Sequence, residues 1–191
     1  SGPIDVGGQT QYDITGGTRP GGASGTNLFL SFGDFSVPTE NIANFLNTGS
    51  VDLNGNVLAP NLPTSNILGR VTGGDPSVIF GRIQTNGPNG FGNANLFLIN
   101  PHGFLFGPNA TLNVGGMVAF TTADSLRLEG VGGNGIFFAD TAHASVLTNA
   151  PVAAFGFLGS NPAAIALQGS ILTVAPGQSI SLVGGNTGFE Y

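Results

Sequence analysis

Histidine and acidic residues are the side chains of this sequence best suited to chemistry, and they are few. His102 lies between Pro101 and Gly103, and His143 follows Asp140 by three residues. A metal site needs several converging ligands, and the chain has no cysteine to contribute one. We therefore interpret both histidines as solvated turn residues, and we predict no metal site and no cofactor.

The acidic residues beyond the N-terminal third are widely separated along the sequence. Carboxylate catalysis needs two acids about 5–10 Å apart. Stacked turns of a repetitive fold could bring distant acids together, so the sequence leaves a pair open. The scarcity of cations argues against an enzyme that binds an anionic polysaccharide. These acids are Asp75, Asp124, Glu129, Asp140 and Glu190.

Glycine-rich stretches of the chain do not match nucleotide or calcium motifs. A phosphate-binding Walker loop requires lysine, which the sequence lacks. Residues 132–135 (Gly-Gly-Asn-Gly) do not have the GxGxxG spacing, and Phe137 occupies the position of Asp in a calcium-binding repeat. No serine lies in a recognisable catalytic elbow. We predict that the protein is not an enzyme.

The composition excludes several classes of partner. The 191 residues include four basic side chains, all arginine, and the formal net charge is −6. Binding to nucleic acid or to an anionic membrane surface would lack the necessary cations. No apolar run exceeds about five residues, against the ~20 of a membrane helix, so we predict no stable membrane insertion.

Glycine and proline mark corners of this chain rather than disorder. There are 33 glycines and 12 prolines, but 40% of the residues are hydrophobic and only 7% are charged. Disordered chains combine low hydrophobicity with high charge, so this composition is typical of a folded protein. The length fits one domain, which we predict to be all-β.

Short apolar runs alternate with turn residues between residues 93 and 123. The interruptions are Asn-Pro-His-Gly, Gly-Pro-Asn and Gly-Gly, whose residues favour turn geometry. Runs of this length are too short for helices and suit strands. The pattern predicts the strands and corners of a β-solenoid. The runs are residues 96–99, 104–106, 112–114 and 117–120.

The same rhythm predicts strands elsewhere in the chain. We predict an N-terminal cap and first coil for residues 1–63, with a strand at 26–32 and a hairpin at 51–58. Residues 64–191 would form regular β-helix turns, about six of them at roughly 20 residues per turn. A β-sandwich is the alternative, but its strands are usually longer and joined by hairpins. The strands are predicted at 66–71, 78–84, 95–99, 104–106, 111–114, 118–121, 125–128, 135–138, 145–147, 152–155, 164–167, 170–174 and 179–183.

Residues 95–116, NLFLINPHGFLFGPNATLNVGG, carry a family signature. They resemble the centre of the two-partner secretion domain of filamentous-haemagglutinin-like exoproteins, in its cyanobacterial form. The hallmark Asn-Pro-Asn-Gly-Ile reads Asn-Pro-His-Gly-Phe here, and the nearest copy of a second motif, Asn-Pro-Asn-Leu, is Ala-Pro-Asn-Leu at residues 59–62. The resemblance also includes residues 27–38, 66–87, 115–126 and 175–185, and so covers nearly the whole chain.

The resemblance implies a right-handed parallel β-helix (solenoid) with an N-terminal cap and extra-helical β-strands. It also implies that the unfolded domain passes through the periplasm to a partner outer-membrane β-barrel transporter with POTRA domains. The domain would then fold at the cell surface or outside the cell, as a monomer. The candidate transporter-recognition residues are Asn100, Pro101, His102, Gly103 and Phe104; alternatively, these residues only form an obligatory corner.

Two other functions stay open at this point. A β-helical carbohydrate-binding or polysaccharide-cleaving protein would place acids in a surface groove, and a structural segment of an adhesin would need no recognition residues. If the protein is exported, we expect that its signal peptide has been removed. We also expect the native chain to continue beyond Tyr191.

Overall fold

The computed structural model describes residues 2–190, so Ser1 and Tyr191 lie outside the described residues. Its regular structure is nearly all strand, with one short 3-10 turn at Gly22–Ser24. The strands β1 to β17 form four sheets. Three of these sheets are built from parallel strands, apart from the antiparallel pair β1 and β2, and the fourth is antiparallel.

The three parallel sheets form the sides of a β-helix. Sheet I contains β1 (Ile4–Val6), β2 (Gln9–Ile14), β4 (Asn41–Phe45), β7 (Arg82–Gln84) and β10 (Thr111–Asn113). Sheet II contains β3 (Asn27–Phe32), β5 (Asn66–Val71), β8 (Asn95–Ile99), β11 (Val118–Thr121) and β16 (Ile180–Val183). Sheet III contains β6 (Ser77–Ile79), β9 (Phe104–Phe106), β15 (Ile165–Gln168) and β17 (Thr187–Glu190).

The chain runs from sheet II to sheet III to sheet I and then begins the next coil. This order, seen in β5–β6–β7 and again in β8–β9–β10, produces the predicted β-helix. Residues of equal register stack directly: Leu28 pairs with Ile67, Ile67 with Leu96, and Leu96 with Val118. All four side chains are buried in the interior core, so their burial fixes the register of the stack.

Gly69 shows how tightly the interior packs. It lies between Leu30 and Leu98 in the stacked register of sheet II. A Cβ atom at Gly69 would lie 2.7 Å from Cδ2 of Leu98 and 3.0 Å from the ring of Phe32. A larger residue at this position would therefore have to displace core side chains.

The fourth sheet lies outside the β-helix and covers the outer face of sheet II. This extra-helical sheet contains β12 (Ser125–Leu128), β13 (Gly135–Phe138) and β14 (Val152–Gly156), with β12 in the centre. Its residues Leu126, Leu128 and Phe137 form a second buried cluster with Phe29 and Phe97 of sheet II. The strands β8 and β11 in the middle of sheet II are therefore buried on both faces, which explains their continuous apolar sequences.

The N-terminal residues cover one end of the β-helix. The hairpin of β1 and β2 extends sheet I, because β2 pairs in parallel with β4. Thr18 then bridges to Phe29 of sheet II and to Val51. The division between a cap ending at residue 63 and turns beginning at residue 64 stays a prediction.

The expected count of about six turns after residue 63 is wrong. The described residues from 64 onward contribute four strands to sheet II, namely β5, β8, β11 and β16. The number is lower because the chain leaves the β-helix after Thr121 to form the extra-helical sheet and rejoins it at Ile165. The sequence shows the strands of both regions but not that they belong to different sheets.

Several predicted strands also differ in detail. The run 78–84 is divided between β6 and β7, and the predicted hairpin at 51–58 reduces to a bridge between Val51 and Val57. The runs 145–147 and 170–174 are not strands. In the latter, Leu172 and Val174 contact the core while Ile171 is 78% exposed.

Candidate functional site

Asn100 is fully buried at the corner that joins β8 to β9. Its side-chain Nδ2 donates hydrogen bonds to the backbone O of Asp75 and to Oγ of Ser77, both at 3.0 Å. Its Oδ1 accepts a hydrogen bond of 2.9 Å from the backbone N of His102. The backbone N of Asn100 donates to the O of Thr121 in the next coil. Asn100 therefore joins three consecutive coils.

Gly103 has a backbone conformation that favours glycine, with φ of 113°. Its N donates to the O of Asn100 at 3.1 Å, and its O accepts from the N of Ser77 at 3.0 Å. A Cβ atom at this position would lie 2.9 Å from the O of Ala164. The corner thus excludes a side chain at residue 103 by both conformation and space.

Phe104 begins β9 and points into the interior. It is 2% exposed, and its ring lies 5.4 Å from Phe120 and 6.1 Å from Phe106 between centroids. Phe104, at the position of isoleucine in the hallmark motif, is therefore a core residue. Asn100, Gly103 and Phe104 all have structural roles in the folded corner.

Pro101 and His102 are the two corner residues that reach the surface, Pro101 half-buried and His102 exposed. They border a groove of about 390 Å³ between the corner and the start of the extra-helical region. Asp124 and Asp140 also line this groove. In the folded domain, a partner could contact the corner only through this exposed edge. Recognition of the five residues by a transporter stays a prediction.

Neither histidine belongs to a cluster of potential metal ligands within residues 2–190. His143 lies 3.3 Å from Asp140 between Nδ1 and Oδ2, and both side chains are exposed. Within residues 2–190, no three His, Asp or Glu side chains converge as a metal site requires.

Two ladders of side-chain amides run along the β-helix and were not predicted. In sheet II, Asn95 donates to Asn66 at 2.9 Å, and Asn66 donates to Asn27 at 2.8 Å. Asn27 in turn donates to the O atoms of Thr148 and Ala150, beside the extra-helical sheet. The signal in the sequence was the repeated start of these strands, NLFL, NILG and NLFL.

The ladder of sheet I ends on a carboxylate. Asn113 donates to Gln84 at 3.0 Å, Gln84 donates to Asn44 at 2.9 Å, and Asn44 donates to Oδ1 of Asp13 at 2.8 Å. All donors point in the same direction, so the amide dipoles align and strengthen one another toward the anion.

Arg19 was also missed by sequence reasoning. It is fully buried, and burial lowers the pKa of its guanidinium. Its Nη2 donates to Oγ1 of Thr64 at 2.7 Å and to Oδ1 of Asn47 at 3.1 Å. Asn47 also donates to the O of Leu62, so the Ala-Pro-Asn-Leu segment is held beside Arg19. The remaining acceptors of Arg19 are Oγ of Ser50 and the O atoms of Gly25 and Pro63.

Comparison with known families gives one match, and the matched residues include both the β-helix and the corner at residues 100–104. The family model described as TPS secretion domain matches residues 4–191. A comparison with curated proteins finds no significant match. Among the described residues, no helix has the length and apolarity needed to cross a membrane. Since the match extends over nearly the entire sequence, the chain belongs to the TPS secretion domain family.

Proposed function

We propose that the unfolded domain is recognised by the POTRA domains of a partner outer-membrane β-barrel transporter. It then passes outward from the periplasm and folds into its β-helix at the cell surface, as a monomer. Membership of the family already makes the chain a secretion domain of a two-partner secretion exoprotein, which implies a partner transporter in the outer membrane. The family match over residues 4–191 is the observation that carries the proposal.

The order of strand pairing supports folding during export. The strand β5 pairs with β3, β8 with β5, and β11 with β8. Each new coil therefore adds to an edge formed by earlier residues. If the N-terminal part emerges first, successive coils can bury apolar surface and hinder backward movement.

Export of a core variant tests this folding step. Leu98 is fully buried in the interior, so Leu98→Asp prevents the third coil from packing. We expect its secretion by cells that express the partner transporter to fall well below that of the wild type. Leu158→Asp, at a position 69% exposed, is the matched control and should be exported normally. Equal export of Leu98→Asp and wild type would contradict folding-driven export.

Recognition is tested separately from folding. The full domain, kept unfolded in urea, should co-purify with the partner's POTRA domains, and Leu98→Asp should bind as well as the wild type. Within the corner, His102→Ala changes an exposed side chain, and Asn109→Ala changes an exposed residue of the next corner. We expect only His102→Ala to weaken POTRA binding. Equal binding by both variants would remove His102 from the recognition site.

A further inference from the structure

Arg70 lies on the outer face of sheet II at the edge of the extra-helical sheet. Its Nε donates to Oγ of Ser31 at 2.7 Å, and its Nη1 donates to the backbone O of Phe138 at 2.8 Å. The guanidinium carbon lies 4.9 Å from the centre of the Phe137 ring. These contacts hold the planar group in one orientation from three sides.

The guanidinium of Arg70 contacts no carboxylate within residues 2–190. There, the contacts between basic side chains and carboxylates are those of Arg127 with Glu129 and of His143 with Asp140. A guanidinium has five N–H donors, and the described residues accept from two of them. Burial lowers the pKa of Arg70, as expected when a cation is partly desolvated without a neighbouring anion. The guanidinium of Arg19, in contrast, donates to five acceptors in the interior.

Arg70 lines a pocket of about 310 Å³, here called the Arg70 pocket. Hydroxyl side chains of Ser31, Thr141 and Ser145 line it together with His143. Ser31 and Ser145 already accept protein hydrogen bonds, so their hydroxyl hydrogens are available to donate outward. The volume lies at the lower end of the range for small-ligand sites.

We propose that the Arg70 pocket binds an acidic sugar unit of the uronic acid class. A carboxylate matches the fork geometry of a guanidinium, which can donate two parallel hydrogen bonds to it. The surrounding hydroxyl groups can donate to and accept from the hydroxyls of a pyranose ring. This pocket is independent of export, and its ligand would bind the folded domain.

Titration of the folded protein tests the site directly. The side-chain Nε–H signals of a chain with four basic residues, all arginine, can be assigned individually by NMR. We expect sodium glucuronate to shift the Arg70 signal in a saturable way and glucose to leave the signal unchanged. Acetate should bind with an affinity at least about tenfold lower than that of glucuronate. Equal effects of glucose and glucuronate, or no saturable shift with glucuronate, would overturn the proposal. Acetate binding as tightly as glucuronate would overturn the assignment to a sugar.

Variants then assign the binding to Arg70. Arg70→Gln should abolish the response to glucuronate, and Arg70→Lys, which keeps the charge but loses the fork, should weaken it about tenfold. Arg127→Gln on β12 is the matched control and should bind like the wild type. If Arg70→Gln unfolds the domain, Thr141→Ala provides the test, because Thr141 is exposed and borders the pocket. Unchanged affinity in a folded Arg70→Gln or in Thr141→Ala would contradict the proposed contacts.

Discussion

The ring of Phe137 in the extra-helical sheet meets the ring of Phe29 in sheet II edge-on, with centroids 5.0 Å apart and planes at 69°. Both residues are nearly fully buried. Nearby, the side chain of Asn27 donates to the O of Ala150, which lies 123 residues further along the chain. The burial of Phe29 and the hydrogen bonding of Asn27 in the first coil therefore depend on the extra-helical region that covers them.

Phe137→Ala should strongly destabilise the domain. Loss of a buried aromatic ring costs about 3–5 kcal/mol, because apolar contacts are lost and a cavity remains. We expect this decrease in the free energy of unfolding by urea denaturation, together with faster amide exchange in β12 and β13. Phe157→Ala, at a position 37% exposed, should change the stability much less. Equal effects of the two variants would mean that the extra-helical sheet contributes little to stability.

Asn66→Asp should interrupt the amide ladder of sheet II with little change in side-chain size. A carboxylate cannot donate to Oδ1 of Asn27, and Asn66 is 8% exposed, so repulsion and desolvation both disfavour it. We expect a loss of about 2 kcal/mol or more in thermal or urea unfolding at neutral pH. Asn109→Asp, at an exposed corner, should behave like the wild type. A stability loss of the same size in both variants would argue against a role for the ladder.

Asn100→Ala should destabilise the corner between β8 and β9. The substitution leaves the O of Asp75 and Oγ of Ser77 without their donor, and it removes the acceptor of the His102 N–H. We expect a loss of about 2–3 kcal/mol in the free energy of unfolding, since buried polar groups lose partners. His102→Ala in the same corner should change it by less than about 0.5 kcal/mol. A neutral Asn100→Ala would show that water or backbone movement replaces these bonds.

The sequence indicates local structure more reliably than it indicates which segments meet. The strands Asn95–Ile99, Phe104–Phe106 and Val118–Thr121 were predicted with their correct bounds. The first two are followed directly by turn residues, Asn100 and Gly107. The strand Asn41–Phe45 was missed. Its polar residue Asn44 looks unsuited to a buried strand until Asp13 and Gln84 are seen to bond with it.

The same limit explains the wrong strand at residues 170–174. Its alternating pattern is suitable for a strand, but no strand in the described part of the chain pairs with it. Arg70 was not selected either, because residues as far apart as Thr18 and Leu147 line its pocket and only the fold brings them together. The extra-helical strands were expected from the family resemblance, and their packing on sheet II could not be derived from periodicity.

Gly103→Ala should destabilise the domain through the backbone. The substitution combines a φ of 113° with a close approach to the O of Ala164. We expect the free energy of unfolding, measured by urea denaturation, to fall by about 1–3 kcal/mol or more. Gly74→Ala is the matched control at the corresponding corner of the preceding coil, because a Cβ atom there meets nothing within 4 Å. If both variants were equally stable, the corner would have to relax around the new methyl group.

Asp52 should make the turn at residues 52–56 sensitive to acid. Its Oδ2 accepts from Nδ2 of Asn56 at 2.8 Å, and its Oδ1 accepts from the backbone N atoms of Asn56 and Asn54. The side-chain bond from Asn56, followed by its backbone bond, lowers the pKa of Asp52. These bonds therefore stabilise the folded state above about pH 4, the pKa of an unfolded aspartate. The stabilisation is lost as the pH falls through the lower pKa of the folded state.

Asp52→Asn tests this pH dependence, since an amide does not titrate in this range. We expect the wild type to lose more unfolding free energy than Asp52→Asn between about pH 6 and pH 2. The amide signals of Asn54 and Asn56 should titrate with Asp52 in the wild type and stay constant in Asp52→Asn. Identical pH profiles for the wild type and Asp52→Asn would contradict the assigned hydrogen bonds, because their loss on protonation is the source of the predicted difference.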